Sequence, residues 1–441
     1  MTPSRRLLVA LATLVLLAVP LGALTAMGIE AEGWRSAWWG LLLALGMVAV
    51  LDARNLKRRP SPSLQRSLSG NLPLGHWSNV QLLVRNEDTH PAELELFDHV
   101  PEGMLFEQLP QRIRLQPWEH CQITYRLRPV RRGRFAFQRC DMQLTSPLGL
   151  WRSKRQLPLA DDTRVYPDFA RLHGAGLQAV DVWLNRLGVR QQPRRGLGLE
   201  FHQLREFREG DTLRQIDWKA TARTRMPIAR EYQDEQDQQI VLMLDCGRRM
   251  RSQDAELTHF DHALNAGLLL AYAALRQGDA VGVCTFAGEP RYVAPAKGQQ
   301  QLRVLLNSLY DLQPTQQPAD YGAATEQLLA RQQRQALVIV LSNLRDEDDA
   351  ELHAALQRLS RRHRVLLVSL REEVLDHLRV RPVQNLDDAL DYCGAQDYLS
   401  ARQQLHKRLM ANGMPVLDVP PCDLGPALVG RYLAWKKTRT L

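Results

Sequence analysis

The densest run of groups able to do chemistry lies between Gly198 and Tyr232. It holds the bases Arg205, Arg208, Arg214, Lys219, Arg223, Arg225 and Arg230, and the acids Glu200, Glu206, Glu209, Asp211, Asp217 and Glu231. The two sets nearly cancel, as expected of an internal ion-pair network. Arginine suits such a network because its planar fork holds a carboxylate through two parallel hydrogen bonds and stays charged when partly buried. Gly210-Asp211 reads as a turn and helix N-cap, with Asp211 accepting the free backbone N–H groups of a helix that runs to about Arg223. Leu213, Ile216 and Trp218 are expected to pin that helix to apolar surface. The catalytic alternative makes two of these carboxylates, for example Glu200 and Asp217, a general acid/base pair. Nothing in the spacing selects a pair.

A second reactive stretch, Asp245-Cys246-Gly247-Arg248-Arg249, directly follows an apolar run. Cys246 lies near two arginines that could depress its pKa, but no histidine base is identified for it, so it reads as a structural thiol. The six cysteines lie far apart with no C-x-x-C, and the twelve histidines form no H-E-x-x-H. No Walker A loop, G-x-S-x-G or zinc-ligand spacing appears, so an enzyme would lack a nucleophile or a phosphate cradle.

The elements that must position these residues are of two kinds. From about Leu68 short alternating strands run between turns, at 80–85, 92–97, 112–115, 121–128, 134–137 and 142–145, which argues for a β-sandwich over 60–167. Residues 168–237 combine a helical connector, over 168–195, with the charged stretch. From 238 to 441 continuous apolar runs alternate with amphipathic ones. Strands are expected at 240–244, 280–286, 337–341, 365–370 and 416–419, and helices at 260–276, 299–312, 321–333, 350–361, 386–410 and 424–435. Strands apolar on both faces imply a mainly parallel, doubly wound sheet. The fold class is therefore α/β plus all-β.

Residues 1–59 stand apart. Leu7 to Ile29 and Ala37 to Leu51 carry no charge, and Trp34, Trp38 and Trp39 group at one end. Each run approaches the length that crosses a bilayer, and tryptophans favour its interface. A cleaved signal peptide is the alternative; the first run is long for one and a second run follows. Arg5 and Arg6 before the pair, with Arg54, Lys57, Arg58 and Arg59 after it, put both termini in the cytoplasm, giving a two-helix membrane hairpin. Residues 1–66 hold eight basic groups against three acids, and the last eleven residues hold Arg431, Lys436, Lys437 and Arg439 with no acid; together they account for the formal charge of +9, so the body between is balanced and nucleic acid is not indicated as a partner.

The stretch resembles the signature of the bacterial "domain of unknown function 58" proteins. It is carried by Gly198, Glu200, Leu204-Arg205-Glu206-Phe207, Gly210-Asp211, Arg214, Ile216-Asp217-Trp218-Lys219, Ala222-Arg223, Pro227 and Arg230-Glu231-Tyr232. Arg132-Gly133-Arg134-Phe135 and Ser146-Pro147-Leu148-Gly149-Leu150 extend the likeness upstream. The resemblance implies a membrane hairpin, a β domain, the signature and a von Willebrand A-like domain. It also implies association with MoxR-type AAA ATPases and other von Willebrand A proteins in the maturation of other complexes.

Many von Willebrand A domains hold Mg²⁺ on an Asp-x-Ser-x-Ser loop, a threonine and a later aspartate. Here Gly247 and Arg249 stand where hydroxyls are needed, and Ser342-Asn343 replaces the later aspartate. Only Asp245 and Asp320 remain as hard ligands, in a degenerate site with added guanidinium charge. The expectation is a non-enzymatic, cofactor-free membrane scaffold that binds other proteins. A divalent-ion-dependent adhesion-type receptor, or a hydrolase using carboxylates of 198–232, are the alternatives.

Overall fold

A computed structural model describes residues 1–26, 32–167, 195–196, 200–208, 216–233, 238–254, 256–345 and 349–438. The helical connector expected over 168–195, apart from Arg195, lies outside them, as do Gly210, Asp211 and Arg214. The chain divides into two compact units, Met1–Tyr166 and Pro167–Leu441.

The first unit opens with helices α1 (Arg5–Ala26) and α2 (Glu32–Arg58), tied together where the Trp38 indole donates to the Leu14 carbonyl at 2.9 Å. Among the described residues one helix, Gly33–Arg58, is long and apolar enough to cross a membrane. Its last turns are fastened to the β structure. The Asp52 carboxylate accepts from the Leu148 and Leu150 amides, the Trp151 indole donates to the Ala49 carbonyl, and Arg155 donates to the Leu56 carbonyl.

Nine strands follow: β1 (Ser63–Ser67), β2 (Asn71–Pro73), β3 (Ser78–Arg85), β4 (Ala92–Asp98), β5 (Met104–Glu107), β6 (Gln111–Leu115), β7 (His120–Pro129), β8 (Gly133–Thr145) and β9 (Trp151–Tyr166). They make two sheets, β1-β3-β7-β5 and β9-β8-β4-β6, with β2 added beside β9. Alternate residues such as Val80, Leu82 and Val84 on β3 and Leu94 and Leu96 on β4 are buried, the period-2 signal that makes them legible. Arg66 of the first sheet reaches Asp98 of the second with both ends of its fork, at 2.9 and 2.6 Å, and the Tyr125 hydroxyl donates to the same carboxylate at 2.8 Å. The two segments expected at 134–137 and 142–145 are one strand, β8. Its 16-residue partner β9 escapes a hydrophobicity pattern because its residues are mostly polar.

The second unit is built on a six-stranded sheet. Its strands are β12 (Gln239–Asp245), β13 (Ala280–Phe286), β14 (Tyr292–Ala296), β15 (Leu337–Ser342), β16 (Arg364–Leu370) and β17 (Val416–Val419), in the order β14-β13-β12-β15-β16-β17. All neighbours are parallel except β13 and β14. Its helices are α4 (His259–Arg276), α5 (Gln299–Leu309), α6 (Tyr321–Arg331), α7 (Asp349–Ser360), α8 (Glu373–Val380), α9 (Leu386–Ala411) and α10 (Leu424–Lys437). Val241 and Met243 pack toward Leu328, Leu356 and Leu405 of α6, α7 and α9. Leu242 and Leu244 face Gly267 of α4, on the other side. In this sheet and the helices packed on it, edge strand β14 and helix α8 are omitted by pattern reading. Each is short, and neither contributes a fully buried residue.

The charged stretch forms β10 (Glu200–Glu206), α3 (Trp218–Thr224) and β11 (Ile228–Gln233), with β10 and β11 antiparallel.

Candidate functional site

Register across the large sheet lines up one row of residues at its carboxyl edge. Asp245 pairs with Phe286, Leu244 with Leu341, Ser342 with Ser369, and Ser369 with Asp418. Asp245 therefore stands beside Ser342, which stands beside Ser369. Strand order reverses on either side of β12, and crevices at such points are where open α/β sheets take ligands.

The Asp245 carboxylate is buried, at 1% exposure. Its Oδ1 accepts the Gly247 amide at 2.7 Å and its Oδ2 accepts the Ser342 hydroxyl at 2.6 Å. The Ser342 hydroxyl in turn shares a 2.9 Å hydrogen bond with the Tyr321 hydroxyl. Gly247 is required by close approach: a Cβ there would stand 2.9 Å from Asp245 Oδ1 and 2.9 Å from the Gln317 carbonyl. Arg248 donates its backbone amide to that same carbonyl and opens a short 3-10 turn, Arg248–Arg251. Arg248 is exposed and Arg249 half-buried.

The other groups expected around a cation serve different structures. Asp320 caps α6, its Oδ1 accepting the Ala323 amide at 2.7 Å. The Asn343 carboxamide donates to Glu372 at 3.0 Å and lies 3.4 Å from the His259 ring, while its oxygen accepts from Arg402 at 3.3 Å. Arg402, buried and carried by α9, is the hub of the edge. Its guanidinium also reaches the Leu344 and Leu370 carbonyls, Ser369 and Asp418. His259 pairs with Asp254 at 2.7 Å. Ser342 was read only as part of the replacement for a lost aspartate, and Tyr321, His259 and Arg402 were not legible as site residues. Their roles come from register and from a helix far along the chain, and only an arginine on an apolar helix face hinted at one of them.

These residues do not fit a divalent ion. Hard cations want several free oxygens in near-octahedral array, whereas both Asp245 oxygens face donors and Gly247 leaves no room for a hydroxyl. Among the described residues no group of three or more His, Cys, Asp or Glu could hold a metal. Cys246 is fully buried, with the Gly288 backbone packed against its Cβ.

In the charged stretch, Glu200, Arg205 and Glu206 fall on β10 and Arg230 and Glu231 on β11, with Leu204 opposite Arg230. The N-cap of the helix is Asp217, not Asp211. Its Oδ1 accepts the Lys219 and Ala220 amides at 3.0 Å each. The helix begins late because Ile216 is bridged to Ala229 and the Asp217 amide donates to the Ile228 carbonyl, which holds the chain extended up to the cap. Trp218 is not pinned to apolar surface but is 70% exposed, beside exposed Lys219 and Arg223. The β10-α3-β11 unit, with Asp217 spent on the cap, is a framework that displays a short helix.

Comparison with known families bears on this unit and on much of the large sheet. Residues 203–389 match the family described as "Protein of unknown function DUF58". The match covers less than half of the chain. The segment begins within β10 and ends in the first turn of α9. No curated protein matches the chain. Among solved structures, an aerotolerance-related membrane protein from Bacteroides fragilis is 15% identical, with 46% of this chain and 99% of that one covered and a TM-score of 0.29. A FixG-related protein from Vibrio parahaemolyticus is 12% identical over 24% of this chain and 97% of that one, with a TM-score of 0.18. A Salmonella alpha-2-macroglobulin mutant is 16% identical, with a TM-score of 0.19; the match spans 24% of this chain and only 7% of that protein's length.

Proposed function

We propose that this chain is a membrane-anchored protein-binding scaffold, working with a MoxR-type AAA ATPase in the assembly or maturation of other complexes. In this reading α1 and α2 are a hairpin in the bacterial inner membrane, both folded units lie in the cytoplasm, and the second unit is a von Willebrand A-like domain. Leu8, Val15, Leu16 and Val19 of α1, and Leu41, Leu43 and Met47 of α2, are exposed large apolar side chains. Lipid, rather than water, is the solvent that suits such faces.

The observation that carries the scaffold reading is the closed Asp245 carboxylate. With its oxygens given to the Gly247 amide and the Ser342 hydroxyl, the crevice offers a partner shape and hydrogen bonds instead of a cation. The adhesion-receptor alternative needs that cation. Of the pair taken as an example for the hydrolase alternative, Asp217 already holds the α3 amides with its carboxylate. Arg248, exposed at the crevice rim, is suited to an acidic group on the partner.

Affinity purification of the full chain from detergent-solubilised membranes tests the reading. An AAA ATPase is expected at a fixed ratio to the bait. Its absence in replicate preparations that recover the bait intact would sink the ATPase assignment.

A further inference from the structure

Two surfaces of the second unit are unpartnered among the described residues and opposite in charge. On α3 an apolar ridge, Trp218 and Ala222, runs beside a cationic ridge, Lys219 and Arg223, each pair four residues apart and all exposed. On the first turns of α9 an apolar ridge, Leu386 and Leu390, runs beside an anionic ridge, Asp387 and Asp391, with the same four-residue spacing. Leu386 is 74% and Leu390 62% exposed, and Val380 and Val383 continue the apolar surface. Lys219, Arg223, Asp387 and Asp391 have no ion-pair partner among the described residues, whereas the neighbouring Asp376 and Asp388 are already held by Arg371, Arg379 and Arg381.

We infer that these surfaces bind each other between two copies of this chain, α3 of one copy lying antiparallel against the start of α9 of the next. The geometry fixes the direction. In both helices the charged ridge sits one residue after the apolar ridge, so it lies on the same flank of the apolar contact. When two such helices face each other, their charged flanks meet only if the helices run antiparallel. Side chains four apart on a helix stand about 5–6 Å from one another, so the cation pair and the carboxylate pair have matching spacing. Trp218 then packs between Leu386 and Leu390 at the centre of the contact, where an indole contributes most. Different patches meet on the two copies, so the contact is heterologous and propagates head to tail into a ring or a row. This inference rests on the exposed ridges alone and not on the ATPase reading.

The test is sedimentation equilibrium of the full chain in density-matched detergent, at low and high salt. The wild type is expected to show concentration-dependent mass above the monomer, weakened by salt. K219E/R223E and D387K/D391K should each weaken association by roughly tenfold or more. Mixing the two variants should restore it, because each then offers the other a complementary ridge; this arm separates lost contact from lost folding. A wild type that stays monomeric at every concentration overturns the inference, as does association that neither reversal changes. So does K219E/R223E losing binding to anionic phosphatidylglycerol vesicles while mixing restores nothing, which would assign the α3 ridge to the lipid surface.

Discussion

Gly247 shows how one residue closes the crevice. Its amide reaches back to Asp245, and its missing Cβ is the space that the Gln317 carbonyl occupies. Gly247→Ser, alone or with Arg249→Ser, therefore does not rebuild a cation cradle. It is expected to destabilise the fold by about 1–3 kcal/mol through overpacking. Chemical denaturation measures that loss, and excess Mg²⁺ is expected to leave the melting temperature of wild type and variant unchanged. A ligand bound only by the native state would raise it.

Helix α3 is two turns long and begins where Asp217 stops an extended segment. A helix this short does not hold itself together, so the cap and the flanking β10-β11 pair decide whether it forms. Asp217→Ala should cost about 1 kcal/mol, the usual value of an N-cap. Hydrogen exchange should show faster exchange of the 218–224 amides with little change in β12 or β15. Equal acceleration throughout the second unit would mean that α3 is not an independently fraying element. In the first unit the comparable constraint is long-range. Arg66, Asp98 and Tyr125 join two sheets, and a pattern of alternating apolar residues carries no trace of that pairing.

At the scale of the molecule, acid stability follows from buried histidines of the second unit. Burial pushes His262, His363 and His406 below the ordinary histidine value of 6.5; the Arg362 charge adds to the effect at His363, and Arg402 adds to it at His406, where Asp418 opposes it. His363 lines a cavity of about 550 Å³ with Met410, Met414 and Trp435, and among the described residues neither ring nitrogen has a hydrogen-bond partner. The unfolded chain takes up these protons near pH 6.5 while the folded chain does not, so stability is fully present above that pH and falls as pH drops below it. Melting temperature measured from pH 8 to pH 5 should decline through this window. His363→Gln, which cannot gain a proton, should decline less steeply. An equal slope for variant and wild type would remove His363 as a contributor.

What the sequence determined by itself is periodic. Apolar runs buried on both faces marked β12, β13, β15 and β16, a short apolar run marked β17, alternation marked β3, β4 and β7, and uncharged runs marked α1 and α2, because burial selects apolar residues at short, regular spacing. A contiguous polar signature likewise marked where the family match begins. Tertiary structure alone decided how the crevice is filled. Asp245, Ser342 and Ser369 become neighbours only through strand register, and Arg402 reaches them only because α9 packs against the sheet. Hydrogen bonds between residues 97 or 33 positions apart leave no local pattern to read, since their geometry exists only once the backbone is closed.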